Sequence, residues 1–179
     1  MTRNLGNFSN PEKKSVIFLL RIVSWLFVSR LMFERSLCPS SFKIALLRIW
    51  GARIGTNVLL KRNIRISFPW LLEVGQNSWI GEGVWLINHA KIAIGSNVCI
   101  SQRSIICSGS HDYRSASLEY AHKPIVIKDG TWVCLDAKVL PGVTLGECSV
   151  VSAGEIVRES LSNYSMLVGG QVRLINPPK

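Results

Sequence analysis

The sequence predicts an all-β protein whose body is a parallel β-helix built from hexapeptide repeats. Every sixth residue is Ile, Leu or Val in four successive runs, a period that fits neither an α-helix nor a simple two-faced strand. Chance would put only about five such residues at these fifteen positions, because 54 of the 179 residues are Ile, Leu or Val. The positions are Ile54, Leu60, Ile66, Val74, Ile80, Leu86, Ile94, Ile100, Ile106, Ile127, Val133, Val139, Leu145, Val151 and Val157.

Repeated turn signals support the same period. The segments Ile54-Gly55-Thr56-Asn57, Val74-Gly75-Gln76-Asn77 and Ile94-Gly95-Ser96-Asn97 are three copies of one predicted corner. Glycine fits a tight turn without strain, and Asn tolerates left-handed backbone better than most residues. We therefore expect each short strand to point one aliphatic residue inward and to end in a turn that starts the next strand.

The positive charge of the chain lies in its first third. Residues 1–65 hold twelve Lys or Arg and two Glu, whereas residues 66–179 hold nine basic and nine acidic residues. A basic end suits anionic lipid, a phosphorylated substrate or nucleic acid, and a solvated basic face is the simpler alternative. No nucleic-acid-binding motif accompanies the charge, so we predict no nucleic-acid partner. The five cysteines include no C-x-x-C pair, which indicates reduced, packed thiols in a cytosolic protein.

Residues 1–52 are predicted to form a basic, amphipathic helical segment. Ser9 and Glu12 fit a capping box for a helix that reaches about Glu34. Arg21 and Arg30 interrupt its apolar runs, which argues against a membrane-spanning helix. A second short helix is expected from Ser41 to Trp50, with Gly51 as its C-terminal cap.

The face of the first helix leaves two alternatives open. Lys14, Arg21, Ser24 and Arg35 fall roughly on one side, although Arg30 falls on the other. The first alternative is an interfacial helix on an anionic membrane, with its basic residues toward headgroups and Trp25, Phe27 and Phe33 partly in the interface. The second is a helix that covers the open end of the β-helix.

Residues 53–179 are assigned to the β-helix, and the hexad repeat has one long interruption. The repeat stops over residues 107–126, a loop that contains Ser110-His111-Asp112-Tyr113. A long interruption inside a strict repeat is usually where function resides. The loop is therefore the first place to look for a site.

Together these motifs resemble the left-handed β-helix acyltransferases. The resemblance rests on the hexads, the Ser110–Tyr113 loop, the Leu140-Pro141-Gly142-Val143 turn and the closing Val168-Gly169 segment, and it spans residues 44–175. Within that family the chain is most similar to the capsule and colanic-acid-type O-acetyltransferases, relatives of the maltose and galactoside acetyltransferases. The resemblance implies a left-handed β-helix and acetyl transfer from acetyl-CoA to a sugar hydroxyl in surface polysaccharide biosynthesis.

The resemblance also assigns residues to the acceptor side of the site. It implies that His111 is the general base; an imidazole titrates near ~6.5, so it can accept a proton from the attacking hydroxyl. A loop histidine without a role is the alternative. Asn88 is expected to contact the acceptor, or else to be an ordinary corner asparagine. Asp112 would orient His111 or bind a hydroxyl, and Tyr113 is a weaker acceptor-binding candidate.

On the donor side, the resemblance places acetyl-CoA in a groove along the late coils. Ala153 and Gly154 match the small-residue wall, and Arg173 matches a basic residue near the CoA phosphate, where a guanidinium binds well. Trp132 would border the pantetheine arm or simply flank the coil wall. The chain has Arg158-Glu159 where the family usually has Thr-Lys after the last hexad, and Gly170-Gln171-Val172 where it usually has Asn-Pro before the late Arg.

The resemblance further implies a homotrimer with its sites between subunits, a free or lipid-linked sugar acceptor, and no metal. We expect a cytoplasmic protein, with peripheral contact to the inner membrane face as an open possibility. Rival readings are a non-catalytic β-helix assembly module, an acetyltransferase for a soluble small molecule, and a zinc enzyme of the γ-carbonic anhydrase type. The zinc enzyme needs three converging histidines, and the spacing of His89, His111 and His122 does not match its pattern.

Overall fold

The computed structural model describes residues 3, 5–8, 15–34 and 38–177, and its body is a parallel β-helix. The predicted left-handed β-helix fold, preceded by a helical segment, is confirmed. The helices are α1 (Val16–Ser29), a π-helical turn (Arg30–Glu34) and α2 (Ser40–Ile49), and short 3₁₀ turns span Leu5–Asn7 and Pro69–Leu71. The strands are β1 (Arg53–Ile54), β2 (Leu59–Leu60), β3 (Arg65–Ile66), β4 (Leu72–Val74), β5 (Trp79–Ile80), β6 (Trp85–Ile87), β7 (Ile92–Ile94), β8 (Cys99–Ile100), β9 (Ile105–Cys107), β10 (Ile125–Ile127), β11 (Trp132–Val133), β12 (Lys138–Val139), β13 (Thr144–Leu145), β14 (Val150–Val151), β15 (Ile156–Val157), β16 (Ser165–Val168) and β17 (Gln171–Leu174).

Successive strands go to three different sheets. The sheets run β1-β4-β7-β10-β13, β2-β5-β8-β11-β14-β16 and β3-β6-β9-β12-β15, and all of these pairings are parallel. Every third strand therefore lies one coil further along the same face. The last strand, β17, pairs antiparallel with β16 through a turn at Gly169 and Gly170 and ends the second sheet.

The core is a stack of the hexad residues. All fifteen predicted positions are buried, and their neighbours in the strands point outward, as Lys138 does beside Val139. The strand register places hexad residues directly above one another, for example Ile54 on Val74 and Val74 on Ile94. The predicted phase of the repeat is confirmed, and the interior is an aliphatic column in which each coil covers the next.

The predicted corners take the predicted backbone. Asn57, Asn77 and Asn97 all lie in the left-handed region, with φ between 54° and 57°, and their amides form a ladder with N–O distances of 3.2 and 3.3 Å. The preceding glycines permit the close approach of adjacent coils. A Cβ on Gly75 would lie 2.5 Å from the carbonyl carbon of Gly95, so any side chain there would push the coils apart.

The N-terminal helices cover the first coil and bond its free carbonyl groups. The Trp25 indole donates to the Ile66 carbonyl at 2.8 Å, Lys43 Nζ donates to the Lys61 carbonyl at 2.8 Å, and Arg48 donates to the Ile54 carbonyl. Burial lowers the pKa of Lys43, which is almost inaccessible to solvent. An open coil end presents such unpaired acceptors, and here basic and indole side chains satisfy them.

The orientation of α1 corrects part of the sequence prediction. The predicted interfacial positions of Trp25 and Phe33 are wrong, because both side chains are buried against the coil end, whereas Phe27 is exposed. Arg21, expected to face headgroups, donates to the Trp50 carbonyl at 2.7 Å, and its guanidinium lies 4.3 Å from the Trp70 ring centroid. The side chain of Ser24 likewise accepts from the Trp50 indole. On this face Arg21 and Ser24 therefore bond to α2, although both side chains remain partly open to solvent.

The ends of the two helices differ slightly from the prediction. Helix α1 begins at Val16, and the side chain of Ser15 caps it by accepting from the Phe18 amide at 3.2 Å. The capping-box residues Ser9 and Glu12, and the basic residues Lys14 and Arg35, lie outside the described residues. Helix α2 ends at Ile49, and Gly51 follows it with a φ of 90°, as predicted for its C-terminal cap.

The inward orientation of Val139 predicts that substitutions at two adjacent residues of β12 differ sharply in their effect on the free energy of unfolding. Val139→Asp would bury an unpaired carboxylate in the aliphatic column and should cost more than about 4 kcal/mol of unfolding free energy, or prevent folding. Lys138→Asp, on the exposed side of β12, is the matched control and should change the free energy by less than about 0.5 kcal/mol. Urea unfolding of both variants measures this, and equal midpoints would contradict the inward orientation of Val139.

Candidate active site

The interrupting loop is a structured excursion between β9 and β10. Its two arms pair with each other, because the Asp112 amide donates to the Glu119 carbonyl at 2.7 Å and the Ala121 amide donates to the Ser110 carbonyl at 2.9 Å. His111 and Tyr120 form an isolated antiparallel bridge. At the base of the loop, buried Ser108 bonds the backbone of Ala90 in the coil below. The loop thus holds His111 at a defined place outside the coil.

The ring of His111 has a defined tautomer in its neutral form. Its Nδ1 lies 2.5 Å from the Leu118 carbonyl oxygen, which can only accept, so Nδ1 carries the proton and donates. The other ring nitrogen, Nε2, then has the lone pair of a neutral imidazole and can accept a proton. Leu118 adopts a φ of 53°, an unfavourable conformation for a non-glycine residue, and this conformation aims its carbonyl at His111.

The Asp112 carboxylate forms hydrogen bonds within its own turn. Its Oδ1 accepts from the Arg114 amide at 3.0 Å, and this hydrogen bond, with a further one from the Arg114 side chain, lowers the pKa of the carboxyl. The Leu118 carbonyl bonds the His111 ring, and the two predicted roles of Asp112 stay predictions. Tyr113 is strongly exposed, with the Arg114 guanidinium 5.6 Å from its ring centroid.

A row of rings extends from His111 along the surface of the coils. Tyr120 lies 5.2 Å from His111 and 4.7 Å from His122, measured between ring centroids, and His122 lies 5.1 Å from His89. The Nδ1 of His122 accepts from the Ser110 amide at 3.0 Å, next to the base candidate in sequence. The row is completed at its two ends by Phe8, which contacts Tyr120, and Phe68, which contacts His89.

Asn88 lies inside the coil, where its side chain is bonded to backbone groups. The residue is fully buried, its Oδ1 accepts from the Phe68 amide at 2.9 Å, and its Nδ2 donates to the Phe68 carbonyl. These bonds tie one coil to the next, as in the corner alternative for this residue. The neighbouring His89 is exposed and faces the loop, and a Cβ on Gly109 would lie 3.2 Å from its ring.

The donor-side candidates lie around the last coil. Ala153 and Gly154 are exposed at a corner where Gly154 has a φ of 75°, and nothing lies within 4 Å of the place a Cβ would take there. A groove of about 470 Å³ runs from Gly154 through the 155–161 segment to Gly170 and Val172. Arg173 is exposed in β17, next to Val172. This groove is open enough for an extended ligand arm, and its lining does not include His111.

Trp132 lies on the outer wall of the second sheet. Half of its surface is exposed, and its indole donates to the Ser101 hydroxyl at 2.9 Å. Its strand neighbours in the register are Cys99 on one side and Val150 on the other. Trp132 therefore lies on the outside of the coil wall, in the middle strand of the second sheet.

Several residues of the site escaped the sequence analysis. Leu118 orients the ring of His111 through its backbone, and no property of a leucine side chain signals that role. Tyr120 and Phe8 join the ring row through contacts that only the folded loop creates. His122 was visible as the third histidine of the chain, but its acceptor role toward Ser110 depends on the pairing of the loop arms.

No group of three His, Cys, Asp or Glu residues that could hold a metal ion occurs among the residues that the structure describes. The three histidines instead form part of the ring row, in which His122 Nδ1 accepts a hydrogen bond from the Ser110 amide and His111 Nδ1 donates one to the Leu118 carbonyl. The arrangement provides one oriented imidazole base next to an aromatic surface.

Comparison with known proteins identifies sugar acetyltransferases as relatives. The chain is 36% identical over 162 residues to the protein named colanic acid biosynthesis acetyltransferase WcaF of Escherichia coli K12, covering 89% of this chain and 88% of that protein. It is 25% identical over 135 residues to the galactoside O-acetyltransferase of the same organism, covering 73% of this chain and 66% of that enzyme. A scan against protein-family models gives no match.

Solved structures share the fold. A hexapeptide-repeat acetyltransferase from Vibrio cholerae, crystallised with acetyl coenzyme A, superposes with a TM-score of 0.82 at 23% identity, covering 94% of this chain and 92% of that chain. At that identity the superposition establishes the architecture alone. It covers nearly the whole of both chains.

The buried environment of Asn88 predicts a structural role for its amide, which a measurement of stability tests. Asn88→Asp would bring a buried carboxylate against the Phe68 carbonyl, and we expect it to lower the unfolding free energy by about 1–3 kcal/mol or more. Lys128→Gln, at an exposed position just after β10, is the control and should leave the midpoint of urea unfolding nearly unchanged. An Asn88→Asp protein as stable as the parent would contradict the structural role of this amide.

Proposed function

This protein belongs to the hexapeptide-repeat acetyltransferases, and we propose that His111 is the general base with which it acetylates a saccharide during surface polysaccharide biosynthesis. It is an acetyl-CoA-dependent O-acetyltransferase, as its relatives indicate. The acceptor and the roles of individual residues are our proposal. The observation that carries it is the hydrogen bond from His111 Nδ1 to the Leu118 carbonyl, which leaves Nε2 as the proton acceptor.

The reaction follows from that tautomer. Nε2 of His111 takes the proton of the acceptor hydroxyl while its oxygen attacks the thioester carbonyl carbon of acetyl-CoA. The C–S bond of the resulting tetrahedral intermediate then breaks, and the CoA sulfur leaves and recovers the proton from the imidazolium. The Leu118 carbonyl stabilises the imidazolium between these steps, because it accepts from the positively charged ring.

The ring row supports a saccharide as acceptor. Sugar rings present apolar C–H faces and polar edges, and binding sites for small molecules combine apolar or aromatic walls with a few placed polar groups. His89, His122 and Tyr120 provide such a wall beside His111, and the exposed Tyr113 and the free side of the Asp112 carboxylate lie on the same loop. The relative with 36% identity is named for colanic acid biosynthesis, which favours a polysaccharide building block, free or lipid-linked.

We assign the donor to the groove of the last coil. Gly154 lines this groove without side-chain obstruction. The adjacent Ala153 would extend that wall, and Arg173, next to the lining residue Val172, would pair with a CoA phosphate. Trp132 would border the pantetheine arm from a neighbouring coil. The Glu155 carboxylate, which accepts from the Gly170 amide, holds the corner and the hairpin turn together at the groove.

A homotrimer is part of the proposal because one chain carries two incomplete halves of the site. The base loop leaves the coil between β9 and β10, whereas the donor groove surrounds the 154–161 segment and β17. A closed C₃ assembly would bring the loop of one subunit to the late coils of its neighbour. Cytoplasmic acetyl-CoA and lipid-linked saccharides meet at the inner membrane face, so we also propose peripheral contact with an anionic membrane.

The base assignment predicts a large loss of turnover without a loss of structure. His111→Ala should reduce kcat for acetyl transfer about 10²–10⁴-fold, because the attacking hydroxyl loses its proton acceptor. The measurement is release of CoA thiol with a saccharide acceptor, alongside thermal unfolding. Glu119→Gln, an exposed residue of the same loop, is the control and should retain most of the activity. A His111→Ala protein that turns over at the parent rate would remove the mechanism.

The shared site predicts complementation between two inactive chains. His111→Ala and Arg173→Ala chains, each impaired alone, should regain roughly one quarter of the parental activity when co-expressed in equal amounts. That fraction arises because a random trimer places an intact loop against an intact groove in one of four pairings. Light scattering measures the assembly, and an active monomer, or a mixture no better than its components, would contradict the intersubunit site.

A further inference from the structure

Helix α1 exposes an apolar face that the protein itself does not cover. Its inner side packs on the coil end through Trp25 and Ser29, which are buried. Its outer side carries eight large apolar residues, and Ile17 and Phe27 are 79% and 67% exposed. We name this surface the outer α1 face; it consists of Val16, Ile17, Leu19, Leu20, Val23, Leu26, Phe27 and Leu31.

This face is more apolar than an ordinary surface helix. The segment Val16–Phe33 has a mean hydropathy of 2.0 and, within the described ranges, is the one helix long and apolar enough by composition to cross a membrane. None of the eighteen residues of this segment is Asp or Glu. A helix that is apolar all round is normally covered on every side, yet here protein covers only the inner half.

The structure favours a helix that lies on a membrane over one that crosses it. Trp25, in the middle of α1, donates to the Ile66 carbonyl, so the folded body rests against the midpoint of the helix. A spanning helix would have to leave that contact and strip the first coil of its cover. A helix whose inner half touches protein and whose outer half is apolar fits the interfacial region of one leaflet.

The basic residues around α1 favour an anionic membrane as the surface that covers the outer α1 face. In the sequence, Lys13 and Lys14 precede α1 and Arg30 and Arg35 follow it, so basic residues flank the apolar stretch at both ends. Residues 1–65 carry a net charge of +10, which attracts anionic headgroups and repels the same end of a second copy. We propose that the outer α1 face docks this protein on an anionic membrane as a monotopic helix.

A series of ring contacts connects α1 with the acceptor site. Phe18, on the inner side of α1, contacts Phe68 and Trp70, and Phe68 begins the ring row that ends at His111. The base loop and the docking helix are thus joined by a continuous series of ring contacts. Resting on the proposed function, docking through the outer α1 face makes a saccharide carried on a membrane lipid the favoured acceptor class.

The mode of binding differs from simple charge attraction. Arg21, Lys43 and Arg48 donate to backbone carbonyls at the coil end, so these three charges are held on the protein side. The apolar side chains therefore supply much of the affinity, and that part resists salt, whereas the flanking charges supply a part that salt screens. The full-length protein should bind vesicles of phosphatidylcholine with 30% phosphatidylglycerol in flotation, and keep measurable binding in high salt.

A surface variant isolates the outer α1 face. Ile17→Gln, Leu20→Gln and Phe27→Gln together should weaken the partition constant at least about 100-fold, because each removes the burial of a large apolar side chain. The thermal midpoint and acetyl transfer to a soluble saccharide should stay close to the parent. Leu174→Gln, an equally exposed apolar position at the opposite end of the coil, is the control and should bind vesicles like the parent.

Three results would overturn the docking proposal. The parent protein could fail to bind either anionic or neutral vesicles, the triple variant could bind as well as the parent, or the triple variant could dissociate the assembly in light scattering, which would mean that a second copy covers the face. Acetyl transfer to a soluble acceptor is measured on the same samples. Because that assay needs no membrane, its failure would count against the proposed activity and not against the docking surface.

Discussion

The structure depends on one packing constraint, the direct stacking of an aliphatic residue on the equivalent residue of the next coil. Each strand is only two to four residues long, so one inward side chain, or two in β4, β7, β10 and β16, carries nearly all of its burial. The register that places Val74 between Ile54 and Ile94 also brings neighbouring backbones together. Glycines such as Gly75 permit that approach, and left-handed asparagines such as Asn77 turn the chain toward the next face.

The same constraint explains how the 107–126 loop can be added without harm to the core. Buried Ser108 ends the regular coil by bonding to Ala90, and Ile125 resumes it on the next sheet, so the column of aliphatic residues continues beneath the loop. The loop is held by its own backbone pairing and not by burial. That is why a strained residue, Leu118, can be used there to aim a carbonyl at His111.

The N-terminal helices show how the coil end determines the use of charge. A first coil has no preceding strand, so carbonyl groups such as those of Ile66 and Lys61 need donors from elsewhere. Trp25 and Lys43 supply them, and Arg21 bonds the Trp50 carbonyl that links α2 to the coil. Trp25 and Lys43 therefore turn inward, whereas most of the large aliphatic side chains of α1 turn outward, the reverse of the arrangement expected from helical amphipathicity alone.

The sequence by itself determined the β-helix, its hexad phase, its asparagine corners and the position of the loop that contains His111, because these follow from residue type at a regular spacing. It did not reveal the orientation of α1, the partner of His111 Nδ1 or the burial of Asn88 against Phe68. Those features are contacts between backbone groups and side chains far apart in the chain. Only the tertiary structure decides them, because a backbone carbonyl leaves no trace in residue type and the direction of a helix face depends on which acceptors lie beneath it.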